Sequence, residues 1–224
     1  MTPGNGPDDR SYDYAAELGA LPAWGPLALV AAVAARVTPA YRVLADAAEN
    51  AVHASVVDAL GQAREVDTVI LRHLHDDLLP LWPEDEGEMD VLTPYYWKMR
   101  ALHVLKVGLE HAVDDPVRGA RMAEQTAVDM IDDFDSRVEQ EGIDRPLALS
   151  SEETSSYAVR EFGNFLHDVA ALREEADPET AVWRIREHGS AEAEFLEQEL
   201  LPLWIQAENW AQADLESAHG AEHE

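Results

Sequence analysis

The chain predicts an all-α fold, a single multi-helix bundle of about seven helices, and three observations predict it. Apolar residues recur at intervals of three and four in the long segments, whereas the period-two alternation of strands is nearly absent. Thr or Asp stands directly before proline at Thr38-Pro39, Thr93-Pro94, Asp115-Pro116 and Asp177-Pro178. In such a pair the side-chain oxygen can accept from the orphan N–H groups of a first helical turn. The proline, with φ preset and no N–H to satisfy, suits the first helical position. Finally, 46% of the 224 residues are apolar and six are Trp, enough to build a sizeable core in spite of the charge.

Residues 1–11 hold Pro3, Pro7, Gly4 and Gly6 without apolar periodicity and read as a disordered leader. A single helical domain is expected over 12–218, with a disordered tail over 219–224. Helices are expected from about Pro22 to Val37, from Pro39 to Gly61 with a break near Asn50, and from Val66 to Leu79. The acidic stretch from Pro83 to Asp90 reads as an exposed loop between two helical halves, without the composition shift that would mark two domains. A further helix follows Pro94.

From Pro116 to Glu141 the stripe is Val117, Ala120, Ala127, Val128, Ile131, Phe134 and Val138, with Asp129, Asp132, Asp133 and Asp135 on much of the remainder. Ser150 and Glu153 form a candidate capping box ahead of a helix from Ser151 to Glu175, striped by Ala158, Phe162, Phe165, Val169 and Leu172. Gly142 and Gly189 are placed as helix stops. The last helix carries Leu196, Leu200, Leu203, Ala207 and Trp210. Pro202 inside it predicts a kink or restart near Leu201.

Asp and Glu number 45 against 16 Lys and Arg, a formal net charge of -29. Such a surface repels phosphate backbones and anionic lipid head groups, which argues against nucleic-acid and membrane-surface roles. Cysteine is absent, which removes disulfides, thiolate metal sites and a cysteine nucleophile. The longest apolar run, Leu27 to Ala35, falls short of the roughly 20 residues that cross a bilayer. Asp8, Asp9, Asp13 and Glu17 before it are unlike the basic start of a signal peptide, so a cytoplasmic location is expected. The acidity reads either as plain hydration of the surface or as steering of a basic protein partner.

Leu21, Trp24, Arg36, Pro39 and Tyr41 spell Leu-x2-Trp-x11-Arg-x2-Pro-x-Tyr. Thr93-Pro94-Tyr95-Tyr96 with Ala101-Leu102, then Ala123 with Thr126-Ala127-Val128, and finally Glu208, Gln212, Asp214 and Leu215 continue the pattern. Together they resemble the bacterial family known as domain of unknown function 416. The resemblance implies an all-α fold of about this length, with no established activity and no catalytic residues to transfer.

Trp24, Arg36 and Tyr41 are the first candidate binding residues. An arginine leaving an apolar helix beside a proline-started one can hold a carboxylate or phosphate. The plainer alternative, favoured by the abundance of acids, is that Arg36 pairs with a buried carboxylate and ties two helices together. Arg100, His103 and Glu110 are the second set, sharing a helical stripe with Tyr96 and Val107. Facing a cleft they would suit acid–base work, and facing water they would form ordinary local ion pairs.

His73, His75, Asp76 and Asp77 crowd one helix end, but histidines two apart do not share a face. Glu216-x2-His219 occurs once where a di-iron bundle needs two such pairs, and His219 and His223 flank Gly220. The sequence therefore assigns no catalytic residue, no metal site and no cofactor. It favours a protein-binding domain, with immunity-type inhibitors as one instance, over an enzyme using a metal or small molecule. A homodimer with an interface on Trp204 or Trp210 is the remaining reading.

Overall fold

The apolar periodicities resolve into helices wrapped around one that is apolar on every side. The computed structural model describes residues 13–82, 94–140, 157–175 and 177–207. The helices are α1 (Tyr14–Gly19), α2 (Gly25–Arg42), α3 (Ala47–Gln62), α4 (Thr68–Leu78), α5 (Pro94–Ala112), α6 (Pro116–Gln140), α7 (Tyr157–Glu174), α8 (Pro178–Phe195) and α9 (Leu201–Ala207). No strand occurs among the described residues. The expected leader, the acidic loop from Pro83 to Asp90, the caps at Thr93 and Ser150, Gly142, Trp210 and the Glu216–His219 pair lie outside them, as do the side chains of Val138 and Ala207.

Leu27 to Ala34 are all buried, because α2 is covered by α3, α5, α6, α7 and α8 together. A helix that is apolar all round belongs in an interior. On α6, Ala120, Ala127, Ile131 and Phe134 face the same core, and on α7 the whole expected stripe from Ala158 to Leu172 does so. No helix among the described residues is long and apolar enough to cross a membrane.

Aspartate starts most of the helices. Asp13 accepts from Ala16 N at 3.1 Å, Asp67 from Val69 N at 2.8 Å, Asp115 from Val117 N at 3.0 Å and Asp177 from Thr180 N at 2.9 Å. Asp46 and Glu49 cap α3 reciprocally, the Asp46 carboxylate accepting from Glu49 N at 2.9 Å and Glu49 accepting from Asp46 N at 2.7 Å.

Two expected punctuation marks fail for identifiable reasons. Thr38-Pro39 does not start a helix; Pro39 lies inside the last turn of α2, where its missing N–H forfeits a single bond to Ala35. Thr38 turns back, its Oγ1 donating to Ala34 O at 2.9 Å, and so cannot serve as a forward cap. The chain breaks instead at 43–46, where Asn50 Nδ2 donates back to Ala45 O and Asp46 O at 2.9 and 2.8 Å. Gly189 is likewise no stop, since α8 runs through it. A Cβ there would make only an ordinary contact, 3.8 Å from Ala32 O, so the packing of α8 on α2 does not require this glycine.

Pro202 acts as expected. Residues Leu196–Leu200 open into a π turn, with Leu201 N–H donating to Leu196 O, before α9 resumes. The α5–α6 crossing is close at Gly119. A Cβ on Gly119 would lie 2.6 Å from Gly108 O and 2.6 Å from Ala112 Cβ, so α6 reaches α5 there only because position 119 is glycine, and a Cβ on Gly108 would press on Val30 of α2 at 2.8 Å. Trp204 stacks on Trp97 at 5.1 Å and meets Phe134 edge-on at 4.6 Å, fully buried. It is a core anchor, which corrects its assignment to an exposed dimer surface.

Candidate functional site

Arg36 follows directly on the apolar run of α2 and is buried with its charge. Its Nε donates to Glu161 Oε1 at 2.8 Å, its Nη2 lies 2.7 Å from the same oxygen, and its Nη1 donates to Asp168 Oδ2 at 2.5 Å. Glu161 and Asp168 stand seven residues apart on α7, two turns along one face, which lets one guanidinium bridge both. Burial works against the Arg36 charge, but the two carboxylates outweigh it and hold its pKa above the ordinary value. Burial also pushes the Glu161 carboxyl up, against the pull of Arg36.

The cluster reaches the surface through histidine. Asp168 Oδ1 lies 2.8 Å from His188 Nδ1 on α8 and 3.7 Å from His167 Nδ1, and the two imidazole rings are 4.2 Å apart. His188 is one-fifth exposed and His167 is 60% exposed. Beside them Glu192 accepts from Arg160 Nε at 2.8 Å and Nη2 at 2.9 Å, and from Asn164 Nδ2 at 2.9 Å. Burial of Glu192 is outweighed by this bidentate arginine, and its pKa sits below the ordinary range.

Of the residues singled out in the sequence, only Arg36 belongs to this cluster. Trp24 lies at the start of α2 under the Arg64 guanidinium at 5.4 Å, and Tyr41 stacks on His53 at 4.6 Å. Twelve residues separate Trp24 from Arg36, about 18 Å along a helix axis. On α5, Arg100 sits 3.7 Å from Asp133 and over Tyr96, His103 packs on Trp82, and Glu110 pairs with Lys106 at 3.5 Å. Each has its own neighbour. His75 lies 3.8 Å from Asp76, while His73 faces solvent. Glu161, Asp168, His167 and His188 escaped the sequence reading. The signal was there in part, since Glu161 and Asp168 border the apolar stripe of α7 where a free acid has no place.

His53 carries a separate consequence for pH. Its Nε2 is buried without a hydrogen-bond partner, and burial lowers its pKa from 6.5 to about 4. The folded value lies below the unfolded one, so the contribution is full above pH 6.5 and is lost as the pH falls towards about 4. Integrated over that window the loss is roughly 3 kcal/mol. Urea unfolding of the protein and of His53→Phe across this range should show the natural chain losing more stability on acidification; parallel curves would refute it.

A groove lies on the neighbouring face. Between α2, α3 and α8 a cleft of ≈ 140 Å³ is lined by Ala28, Ala31, Ala32 and Ala35 with Gly61 and Gly189. Through Val182, Arg186 and Ser190 it joins a wide depression of ≈ 660 Å³ beside Trp183 and Arg64. Arg64 in turn borders a third hollow of ≈ 290 Å³ lined by Ala63, Ile70, Leu71 and Leu74. Trp183 is 59% exposed, Val69 58% and Ile70 54%.

Fold and site together define an acidic all-α bundle with an arginine–carboxylate–histidine cluster inside and an apolar groove outside. In comparisons with family models, curated proteins and solved structures, none matches the chain.

Proposed function

We propose that the protein is a binding module for a basic, amphipathic protein segment that docks along the groove of α3, α4 and α8. The observation that carries this reading is the exposure of Trp183 and Ile70 in the two hollows that Arg64 joins. Large apolar side chains left in water beside a cleft lined by alanine and glycine suit reciprocal insertion of side chains, and tryptophan is a common energetic anchor of interfaces. The rim supplies the charge preference. Asp58, Glu65, Asp67, Glu179 and Glu187 outnumber Arg64 and Arg186 around the groove, and Arg186 is already paired with Asp58. With the net charge of -29 this favours a cationic ligand and speeds its encounter. Inhibition of a basic enzyme, in the manner of immunity proteins, is one use of such a surface.

The test uses a partner captured from native lysate, then purified and rebound. Raising the ionic strength from about 0.1 M to 1 M shortens the Debye length from about 10 Å to 3 Å and should weaken the complex markedly. Trp183→Ala should weaken it by roughly 30-fold, a hot-spot cost of about 2 kcal/mol, with stability unchanged because the ring is exposed. Affinity indifferent to both salt and Trp183→Ala would overturn the reading. A concentration-dependent dimer that Trp183→Ala dissociates would put a second copy of the chain in place of the basic partner.

A further inference from the structure

We propose that His167, Asp168 and His188 form a binding site for a divalent transition-metal ion of the Zn2+ class, stapling α7 to α8. One ligand atom from each residue lies within 4.8 Å of the other two. Tetrahedral zinc, with bonds near 2.1 Å, places its ligand atoms about 3.4 Å apart. The observed separations of 2.8 Å from Asp168 Oδ1 to His188 Nδ1 and 3.7 Å to His167 Nδ1 bracket that value. Small ring rotations close the set, and His167, 60% exposed, has the freedom to make them.

Asp168 is prepared for the role by what lies behind it. Arg36 occupies its Oδ2 and leaves Oδ1 directed at the two imidazoles. This is the support from outside the ligand set that fixes a ligating carboxylate in orientation. The charge count agrees, since the buried cluster sets two carboxylates, Glu161 and Asp168, against one guanidinium. A cation at Oδ1 offsets the excess.

The donor set identifies the ion. Two imidazole nitrogens and one carboxylate oxygen suit zinc and its neighbours, whereas Ca2+ demands six or more oxygens and Mg2+ a near-octahedral oxygen shell. Three protein ligands leave a fourth position for water, on the side where His167 meets solvent.

The test uses the full chain in metal-free buffer, carrying His219→Ala and His223→Ala so that the tail histidines do not compete. Co2+ is titrated first, read by its visible absorption, and Zn2+ is then titrated by displacement and by calorimetry. The expected result is saturation at one ion per chain with the intense absorption of a tetrahedral site. His167→Ala and His188→Ala should each weaken binding about tenfold or more, while His73→Ala leaves it unchanged. His167→Ala replaces an exposed side chain, and circular dichroism of both variants verifies the fold. Absence of saturable uptake, or uptake that survives His167→Ala and His188→Ala in folded protein, would overturn the assignment.

Discussion

Replacing Arg36 by methionine should lower the unfolding free energy by about 3–5 kcal/mol, the cost of stranding buried charge. Methionine fills much of the volume but leaves Glu161 and Asp168 in the core without the guanidinium that bridges them. For a chain of this length that corresponds to roughly 10–15 °C in Tm. Arg36→Lys should rescue little, because a single ammonium cannot bridge two carboxylates two turns apart. The triple replacement Arg36→Met, Glu161→Gln, Asp168→Asn should recover a large part of the loss, since the penalty lies in the unpaired acids rather than in the missing attraction. The deficit of the single variant should also shrink in acid. Without Arg36 nothing opposes the burial that already raises the Glu161 carboxyl, so the penalty is full at neutral pH and fades as the pH falls through the carboxylate range. Urea unfolding at neutral pH and near pH 4 reads all of these effects. A deficit below about 1 kcal/mol at neutral pH would mean that the cluster is open to water.

Trp204→Ala should cost about 3–5 kcal/mol while leaving the oligomeric state as it was. The ring is fully buried between Trp97 of α5 and Phe134 of α6, so its removal leaves a cavity that two aromatic neighbours on separate helices cannot both fill. Helix α9 is only seven residues long and follows a π turn, so it relies on this contact for its place rather than on intrinsic helicity. Paired urea denaturation and sedimentation separate the possibilities. Unchanged stability with a lost dimer would return Trp204 to an interface and contradict its packing.

The mixed outcome for the sequence-predicted residues has a physical explanation. Leu21, Trp24, Arg36 and Tyr41 are all buried. Arg36 takes the plainer of its two expected roles, tying α2 to α7 through buried acids. Arg100, His103 and Glu110 share a stripe, but a stripe ten residues long spreads its ends over about 15 Å, and each residue meets a different neighbour. Thr38-Pro39 and Gly189 misled for a related reason. Proline in a helix's last turn and glycine inside a helix are tolerated at modest cost, so neither by itself marks a terminus. At Gly189 the helix simply continues, since α8 runs to Phe195.

By itself the sequence determined the class of fold, most of the core faces, the caps at Asp115 and Asp177, the restart at Pro202 and the acidity of the surface. These depend on residues close in the chain, on period, cap chemistry and composition, which one strand of text records in full. Only the tertiary structure decided which two of 45 acids meet Arg36, that His167 and His188 converge on Asp168, and that Trp183 is left in water while Trp204 is enclosed. Helical periodicity says which face of a helix turns inward but not which helix it turns toward. A site assembled from α2, α7 and α8 exists only once those faces have met.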